Sequence, residues 1–554
     1  MSDIKIARSA NKLPIEQVAA KLGIDNEAII PYGKDKAKID LNYCLNAQNE
    51  NKSGKLILVT AINPTKAGEG KSTVTIGLLD GLVQIGKKAC GCLREPSMGP
   101  VFGLKGGATG GGYSQVVPME DINLHFTGDF HALTSANNLV AACLDNSIYQ
   151  GNPLNIDLDR IVWNRCMDMN DRTLRCTTIA QGAKVNGIER QDHAVITVAT
   201  ELMAILCLSK DLTDLQNRVD QLIVAYNMDG NPVTVKDLGV SGAVAVVLKD
   251  AINPNLVQTL ENNPVFIHGG PFANIAHGCN SLIATRSALA MADYVVTEAG
   301  FGSDLGAEKF LDIKCRKGGL TPSCIVLVAT IRALKMHGGK DATALAEPDV
   351  KALIDGCANL ARHVENCRRY GLPVVVAINH FAADTQEEID ALENWLTENN
   401  IPFSFADGWA NGGKGCIDLA NTVVANCEIE SKFNYLYEDN LPLVDKIDCI
   451  AKTIYHADHE EYADGVLEKL TELQKDYGNY PICMAKTPNS FTDDPKIVGA
   501  PEGHVLHIRD VKVNTGAEFV IAYAGSVLTM PGLPKDPAAC HIGFDKDGLI
   551  EGLF

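Results

Sequence analysis

Residues 60–73, Thr-Ala-Ile-Asn-Pro-Thr-Lys-Ala-Gly-Glu-Gly-Lys-Ser-Thr, constrain the fold more than any other part of the chain. They follow the aliphatic run 56–60, which is typical of a strand buried on both faces. After them, apolar residues recur at helical spacing from Ile76 to Ile85. The order of strand, glycine loop and helix predicts a phosphate-binding loop in a parallel α/β sheet.

The glycines of this loop let successive backbone N–H groups face one anion, and the helix that begins near Lys71 adds its positive dipole end. We expect Lys71 at the outer phosphates of a nucleotide and the Ser72 hydroxyl on its Mg²⁺ ion, with the Thr73 hydroxyl as the alternative. The predicted ATP contacts are Thr65, Lys66, Ala67, Gly68, Glu69, Gly70, Lys71 and Ser72. Thr65 replaces the usual first glycine, so an ordinary glycine turn stays the alternative. Lys66 either adds a second charge at the nucleotide or faces solvent.

Charge and composition exclude several classes of function. The chain has 554 residues, and 49 Lys and Arg against 68 Asp and Glu give a net charge of −19. Such a surface repels nucleic acid and anionic membranes, so we expect neither as a partner. The start of the chain is polar and no apolar run is long enough to span a bilayer, which favours a cytoplasmic location. The 17 cysteines lie mostly in apolar segments and are expected to be reduced and buried.

A second predicted strand, 88–93, ends on Arg94 and Glu95. The carboxyl ends of parallel strands form the ligand crevice, so both side chains are expected beside the phosphate-binding loop. Residues 99–112 then hold seven glycines, and we expect neither helix nor strand there. A flexible linker is one interpretation. An ordered binding loop is favoured, because Phe102, Lys105, Tyr113 and Gln115 lie among or beside the glycines.

Asp129 stands near the start of the next predicted helix, where an N-cap and a catalytic or anion-site role stay equally open. His125 and His131 flank it, and their spacing assigns no role to either. Further strand-like runs each end in polar or glycine-rich loops: 194–198, 265–270, 293–298, 325–329, 373–379 and 403–405. They add Thr197, His268, Glu298 and Asp304 to the candidates for the same crevice.

The alternation of strands and helices predicts an α/β fold with a P-loop-type doubly wound, mostly parallel sheet and two smaller α/β or α+β domains. We divide the chain into a nucleotide-binding domain at 1–360, a second α/β domain at 361–476 and a small β-rich domain at 477–554. In the second of these, Phe381 and Trp409 lie in the loops that follow the predicted strands 373–379 and 403–405. Core packing suits either aromatic alone, but the pair favours a stacking site for a flat ring.

Several motifs occur together along essentially the whole chain, and no single short one is decisive. They are 64–73, 94–100, 105–115, 268–280, 297–302, 312–316, 332–335, 490–495 and 529–535. Together they resemble the formate–tetrahydrofolate ligase family. Three places depart from the family pattern. Lys66 and Ala382 each stand where a proline is common, and residues 191–197 differ from the family's usual approach to its strand.

This resemblance implies ATP-dependent ligation of formate to tetrahydrofolate, giving 10-formyltetrahydrofolate, ADP and phosphate through formyl phosphate, in one-carbon metabolism. It implies Mg²⁺, a monovalent cation (K⁺ or NH₄⁺) and a homo-oligomer, a tetramer. It places Asp129 at the formyl phosphate site, beside Lys71 and Arg94 as catalytic residues. The candidate folate-site residues are Glu95, Gln115, Phe301, Phe381 and Trp409.

The choice of Lys71 and Arg94 also follows from the chemistry. Formate brought within about 4 Å of a phosphate charge is repelled by roughly 4 kcal/mol per charge pair at an effective dielectric near 20. Cations must offset this, and Arg holds carboxylates and phosphates bidentately. A nucleotide-driven switch ATPase is the alternative from another class, but it has no need of the glycine-rich segment or the aromatic strand exits. A related ligase for another acid or amine stays open.

Overall fold

The computed structural model describes residues 2–49, 53–104, 107–525 and 527–553. The described strands, numbered in chain order, are β1 (Ile29–Pro31), β2 (Ala37–Ile39), β3 (Lys55–Ala61), β4 (Ala89–Leu93), β5 (Gly110–Gly111), β6 (Ser114–Val117), β7 (Ile156–Ile161), β8 (Arg165–Met167), β9 (Thr177–Ile179), β10 (Arg190–Asp192), β11 (Ala194–Ile196), β12 (Ile223–Asn227), β13 (Pro232–Thr234), β14 (Asn255–Thr259), β15 (Pro264–Ile267), β16 (Tyr294–Glu298), β17 (Pro322–Ala329), β18 (Val374–Asn379), β19 (Phe403–Ala406), β20 (His459–Tyr462), β21 (Ile482–Lys486), β22 (Val505–Ile508), β23 (Asp510–Asn514), β24 (Phe519–Ala524), β25 (Gly543–Phe544) and β26 (Ile550–Glu551).

The described α-helices are α1 (Asp3–Arg8), α2 (Ile15–Ala20), α3 (Leu41–Gln48), α4 (Lys71–Gln84), α5 (Met98–Phe102), α6 (Met119–Asn123), α7 (Asp129–Tyr149), α8 (Glu201–Leu208), α9 (Leu212–Asp220), α10 (Ser241–Val247), α11 (Leu282–Met291), α12 (Arg316–Gly318), α13 (Ile331–His337), α14 (Val350–Arg369), α15 (Gln386–Glu398), α16 (Gly408–Asn411), α17 (Ile417–Cys427), α18 (Leu443–Ile450) and α19 (Val466–Tyr477). π-Helical turns Ser303–Ala307 and Phe310–Cys315 precede α12.

One large mixed sheet organises the fold, which confirms the α/β class. Its parallel part runs in the order β15-β4-β16-β3-β17-β18-β19. At the β15 edge, β14, β2 and β1 continue the sheet with antiparallel pairing, and β6 pairs antiparallel with β14. The sequence patterns do not predict this extension. The short connection between β14 and β15 accounts for it, because parallel neighbours need a much longer crossover.

Helices cover both faces of the parallel strands, as the continuous aliphatic runs predict. Successive side chains of β3 alternate between two cores: Leu56 and Leu58 pack with the helices of one face, whereas Ile57 and Val59 pack with α4 and α17 on the other. The crossovers place the carboxyl ends of β3, β4, β16, β17 and β18 along one edge, where the loops after them meet.

The predicted division into three units stays a prediction. Its first boundary, between residues 360 and 361, falls inside α14, and β18 and β19 beyond it pair in parallel with the strands before it. The first two predicted units therefore share one sheet. Near the C-terminus, β21, β24 and β23 form a separate three-stranded sheet and β20 pairs with β22.

Two local predictions were wrong. The strand before Thr197, β11, pairs with β8 in a small separate sheet, so Thr197 does not lie at the carboxyl edge of the large sheet. Within 99–112 the chain forms α5 and β5, where we expected neither helix nor strand. The α5 turn is held by Asp168, which accepts hydrogen bonds from the Ser97 hydroxyl and from the Met98 N–H at 3.0 Å. Lys105, part of the predicted binding loop, lies outside the described residues.

No helix in the described ranges is both long and apolar enough to cross a membrane. Every cysteine is a free thiol, and only Cys176 and Cys540 are exposed, which confirms the expected burial of most of them.

Candidate active site

The loop between β3 and α4, residues 62–70, depends on glycine. Gly68 and Gly70 have left-handed backbones, with φ of 76° and 72°. A Cβ on Gly70 would also lie 2.4 Å from the amide nitrogen of Asn379, at the end of β18. The Asn379 amide donates a hydrogen bond of 2.9 Å to the Glu69 carbonyl. The end of β18 thus fixes the last turn of the loop before the helix begins.

Glu69 holds this loop together from inside. Its buried carboxylate accepts hydrogen bonds from the Thr65 N–H at 2.7 Å, the Thr65 hydroxyl at 2.8 Å and the Thr330 hydroxyl. The Glu69 side chain therefore braces the loop against the Thr330 side of the site. Lys66 and Ala67 are exposed at the tip, in keeping with a solvent-facing Lys66.

Arg332, on α13, links the loop to a predicted stacking residue. It donates a hydrogen bond to the Gly68 carbonyl, and its Nε lies 3.7 Å from a Glu69 carboxylate oxygen. Its guanidinium stacks on the Phe381 ring, 4.1 Å from the ring centroid. Arg332 occurs in one of the family-like motifs, but its position in the sequence gave it no individual role.

The first turn of α4 carries Lys71 and Ser72, both half-buried. The Ser72 hydroxyl donates a hydrogen bond of 2.9 Å to the carboxylate of Glu298, which is buried at the end of β16. Because β16 is the neighbour of β3, the sheet itself brings this carboxylate to the loop. A hydroxyl and a carboxylate are oxygen ligands of the kind that Mg²⁺ takes with a nucleotide.

Arg94, at the end of β4, has no hydrogen bond or ion pair with the described residues, and its Nε is buried. Its two terminal guanidinium nitrogens lie 3.1 and 3.2 Å from the position of a Cβ on Gly300. Gly300 stands two residues after Glu298, so the segment 298–301 contacts Ser72 near one end and Arg94 near the other. Ser72, next to the predicted cationic residue Lys71, and the predicted cationic residue Arg94 therefore lie at the two ends of one short segment.

Asp129 is engaged by other residues. Its carboxylate forms a buried ion pair of 2.8 Å with Lys38 and accepts a 2.8 Å hydrogen bond from the Asn255 amide. Gly128 occupies the N-cap position of α7 and Asp129 is the first helical residue, so the capping interpretation was wrong.

Burial, and next the Asp129 charge, raise the pKa of the neighbouring Glu95 carboxyl well above its usual value. These surroundings favour the protonated form of Glu95, and its Oε2 has no described partner.

The remaining folate candidates fall into two places. The Gln115 amide is buried and donates to the backbone carbonyls of Asp3 at 3.0 Å and Gly112 at 2.7 Å, so it ties down the glycine-rich segment. Trp409 is 54% exposed and lies over the same segment, its carbonyl accepting from the Tyr113 N–H at 2.9 Å. Phe301 follows Gly300 in a left-handed conformation with φ of 63°.

Asn63, at the start of the loop, was missed by sequence reasoning. Its N–H donates to His363 Nε2 at 3.0 Å, and its carbonyl lies 2.9 Å from His337 Nε2. Its amide donates at 3.1 Å to Asp304, which forms a fully buried ion pair of 2.8 Å with Lys486. Asp304 was expected at this crevice and is there. Its partner comes from the C-terminal part of the chain, 182 residues away, so no local pattern could indicate it.

The histidines that the sequence left unassigned differ in environment. His125 and His131 are exposed. His268 is buried with both ring nitrogens bonded, at 2.7 Å to the Ser281 hydroxyl and 2.7 Å to the Ala251 carbonyl. Burial lowers the pKa of His268 to about 4, so its imidazole is neutral and structural at neutral pH.

Comparisons with known proteins agree over the full length. The sequence profile of the family described as Formate–tetrahydrofolate ligase matches residues 1–554. Formate–tetrahydrofolate ligases of Rhizobium johnstonii and Rhizobium rhizogenes are 58% and 57% identical over 555 residues, covering 100% of this chain and 99% of each relative. That of Paracoccus denitrificans is 56% identical over 554 residues and is covered completely. The chain therefore belongs to the formate–tetrahydrofolate ligase family.

Proposed function

We propose that this chain joins formate to N10 of tetrahydrofolate at the expense of ATP, and that the cleft around Lys71, Arg94 and the segment 298–301 is its active site. One observation carries the location of the site. The segment 298–301 contacts the first turn of α4 through Ser72, and through Gly300 it contacts the Arg94 guanidinium, which has no ion pair among the described residues. A nucleotide phosphate at the loop and an anion at Arg94 would thus be neighbours.

In the first step, formate attacks the γ-phosphorus of ATP, giving formyl phosphate and ADP. The loop N–H groups and Lys71 bind the transferred phosphoryl group, while Arg94 holds formate bidentately and offsets the repulsion between the two anions. The absence of a described protein anion on Arg94 supports this role, because a salt-bridged guanidinium would first have to be released.

In the second step, N10 attacks the formyl carbon and phosphate leaves. We propose that Phe301, Phe381 and Trp409 line the pterin site. Two observations support this proposal. Arg332 stacks on the Phe381 ring and so helps to hold that ring in position. The Trp409 side chain is exposed, so its ring is accessible for stacking. Glu95 and Gln115 remain folate-site proposals, although Gln115 already makes two backbone contacts.

Ser72 and Glu298 would hold Mg²⁺, with the Ser72 hydroxyl turning from Glu298 to the ion. When bound, the ion would neutralise charge on the nucleotide phosphates. We assign Asp129 to orientation of the formyl phosphate site through its ion pair with Lys38. A monovalent cation, a cytoplasmic location and a homotetramer complete the proposal. They rest on the family resemblance and on composition, and sedimentation equilibrium checks the assembly.

The activity is tested by the substrate requirement. We expect 10-formyltetrahydrofolate, detected by chromatography, only when ATP, formate and tetrahydrofolate are all present. Omitting each substrate in turn provides the controls. Product formed without ATP, or equal turnover with acetate in place of formate, would contradict the proposed activity.

A further inference from the structure

His277 differs from the other buried histidines of the chain. Four histidines are buried: His268, His277, His337 and His363. In three of them both ring nitrogens have partners. Neither ring nitrogen of His277 has a partner among the described residues, although the side chain is 0% exposed. A buried polar group left unpaired destabilises the folded chain, so this imidazole calls for a ligand or an ordered water molecule.

The fold places His277 beside the proposed formyl phosphate site. It lies in the loop between β15 and α11, and β15 is the sheet neighbour of β4, which ends one residue before Arg94. The carbonyl of the next residue, Gly278, accepts a hydrogen bond of 3.0 Å from Gly300. Gly300 is the residue packed against the Arg94 guanidinium. His277 therefore directly precedes Gly278, whose carbonyl holds Gly300, and Gly300 lies beside Arg94 and directly precedes Phe301.

The surroundings keep the His277 imidazole neutral. Burial, and then the charges of Lys314, Arg94 and Lys309, hold the pKa of His277 well below its usual value. The two lysines are fixed in place, since Lys309 donates to two backbone carbonyls of the same loop and Lys314 donates to Asn280. A neutral imidazole offers one N–H donor and one lone pair, so it can accept a proton.

The two neighbouring carboxyl groups are poorly suited to that task. Burial and the Asp129 charge raise the pKa of Glu95 and so favour its protonated form, which cannot accept a proton at the same oxygen. Asp129 has both carboxylate oxygens occupied, by Lys38 and by Asn255.

We propose that His277 is the base that takes the proton from N10 of tetrahydrofolate during formyl transfer, an inference that rests on the proposed function. In this step the N10–carbon bond forms and the carbon–oxygen bond to phosphate breaks. The bonding electron pair leaves with the phosphate, and the N10 proton passes to the lone pair of His277. N10 carries an aryl group, so its adduct with the formyl group is a strong acid and a weakly basic imidazole suffices. The phosphate dianion formed beside Arg94 then stabilises the imidazolium.

The experiment compares two reactions that start from the same intermediate. Chemically prepared formyl phosphate is given to the full-length chain either with ADP, to form ATP, or with tetrahydrofolate, to form 10-formyltetrahydrofolate. Only the second involves the N10 proton. We expect His277→Asn to lower formyl transfer about 10²–10⁴-fold and to leave ATP formation within about threefold of wild type. His541→Asn, an exposed histidine paired with Asp536, is the control and should change neither.

Chemical rescue separates a role in proton transfer from a role in packing. Added imidazole should restore formyl transfer in His277→Ala, because it can accept the proton. The thermal unfolding midpoint of the variant should stay unchanged, because the added imidazole does not repair packing. The wild-type chain gives a test that needs no variant: D₂O should slow formyl transfer and not ATP formation. Unchanged formyl transfer in His277→Asn, or an equal loss of both reactions, would overturn the assignment of His277. If the wild type carries out neither reaction, the proposed function fails instead.

Discussion

Arg94 is the residue on which the proposed chemistry depends most. It lies at a strand end with a buried Nε and no described anionic partner. Buried charged groups are normally paired, so an unpaired guanidinium in a cleft is typical of a site that receives an anion. The sequence predicted this role from the strand end and the need for cations.

Replacement of Arg94 by Lys separates charge from geometry. We expect Arg94→Lys to keep the fold and to lose about 10²–10³-fold in kcat/KM for formate, because one ammonium group cannot replace the bidentate fork. Arg94→Ala should lose more, and Arg160→Lys, which changes an arginine stacked on Tyr226, is the control. Steady-state kinetics with formate varied checks this. Wild-type kcat/KM in Arg94→Lys would remove Arg94 from the site.

The buried pair of Asp304 and Lys486 makes a prediction about stability at the residue scale. Lys486→Met leaves the Asp304 carboxylate, 0% exposed, without its cation. Removing one partner of such a pair typically costs about 3–5 kcal/mol. We expect a clear loss in denaturant midpoint, partly recovered in Lys486→Met/Asp304→Asn. A single variant as stable as wild type would show that the pair does not support the fold.

Local sequence pattern predicted some residues of the site but not their partners. Lys71, Ser72 and Arg94 were identifiable because their chemistry follows from the strand, loop and helix around them. The Lys38 partner of Asp129 and the Glu298 partner of Ser72 are 91 and 226 residues away along the chain, so only the folded sheet joins them. His277 stood within a motif, but nothing in the sequence could indicate that its ring nitrogens have no partner among the described residues.

At the scale of elements, the loop between β3 and α4 is built around two glycines with different constraints. Both have positive φ, but a Cβ would meet Asn379 at 2.4 Å on Gly70 and nothing within 4 Å on Gly68. Left-handed backbone in a residue with a side chain costs about 1–2 kcal/mol.

The two alanine variants therefore form a matched pair. We expect Gly70→Ala to lower kcat/KM for ATP at least about tenfold more than Gly68→Ala, because only Gly70→Ala also displaces Asn379. The measurement is kcat/KM with ATP varied, and KM for tetrahydrofolate is the internal control. Equal effects in the two variants would contradict the role of Asn379 as the brace of this loop.

Helix α4 also carries a buried acid. Asp80 accepts hydrogen bonds of 2.6 Å from the Thr259 hydroxyl and 2.7 Å from the Asn263 amide, which fasten α4 to the β14–β15 hairpin. Burial raises the pKa of Asp80 from 3.8 to about 8. Between these pH values the folded chain keeps a proton that the unfolded chain releases. The Asp80 contribution therefore disfavours folding more and more as pH rises, and it levels off above pH 8.

Asp80→Asn removes this titration and keeps the shape of the side chain. We expect the stability of the variant relative to wild type to increase with pH, by at most about 1.4 kcal/mol per pH unit. Unfolding midpoints of both proteins at pH 6, 7 and 8 check it. A difference that does not change with pH would show that Asp80 is ionised in the folded chain.

At the scale of the whole molecule, the parallel sheet was predictable because buried parallel strands have continuous aliphatic sequences, as in β3 and β17. The antiparallel edge was not, since the three-residue strands β1 and β2 carry too little pattern. The predicted boundary at 360/361 followed the start of a new strand-helix unit, and sequence alone could not show that β18 continues the same sheet. The strand ends of that sheet bring the segment 298–301 to Ser72, the neighbour of Lys71, and to Arg94.

The central claim is that phosphate is first transferred to formate in the cleft between Lys71 and Arg94. The most direct measurement uses formate labelled with ¹⁸O and follows the released phosphate by mass spectrometry while ATP and tetrahydrofolate turn over. One labelled oxygen per phosphate is predicted, because the carbon–oxygen bond of formyl phosphate breaks in the second step. Unlabelled phosphate during active formation of 10-formyltetrahydrofolate would contradict the account.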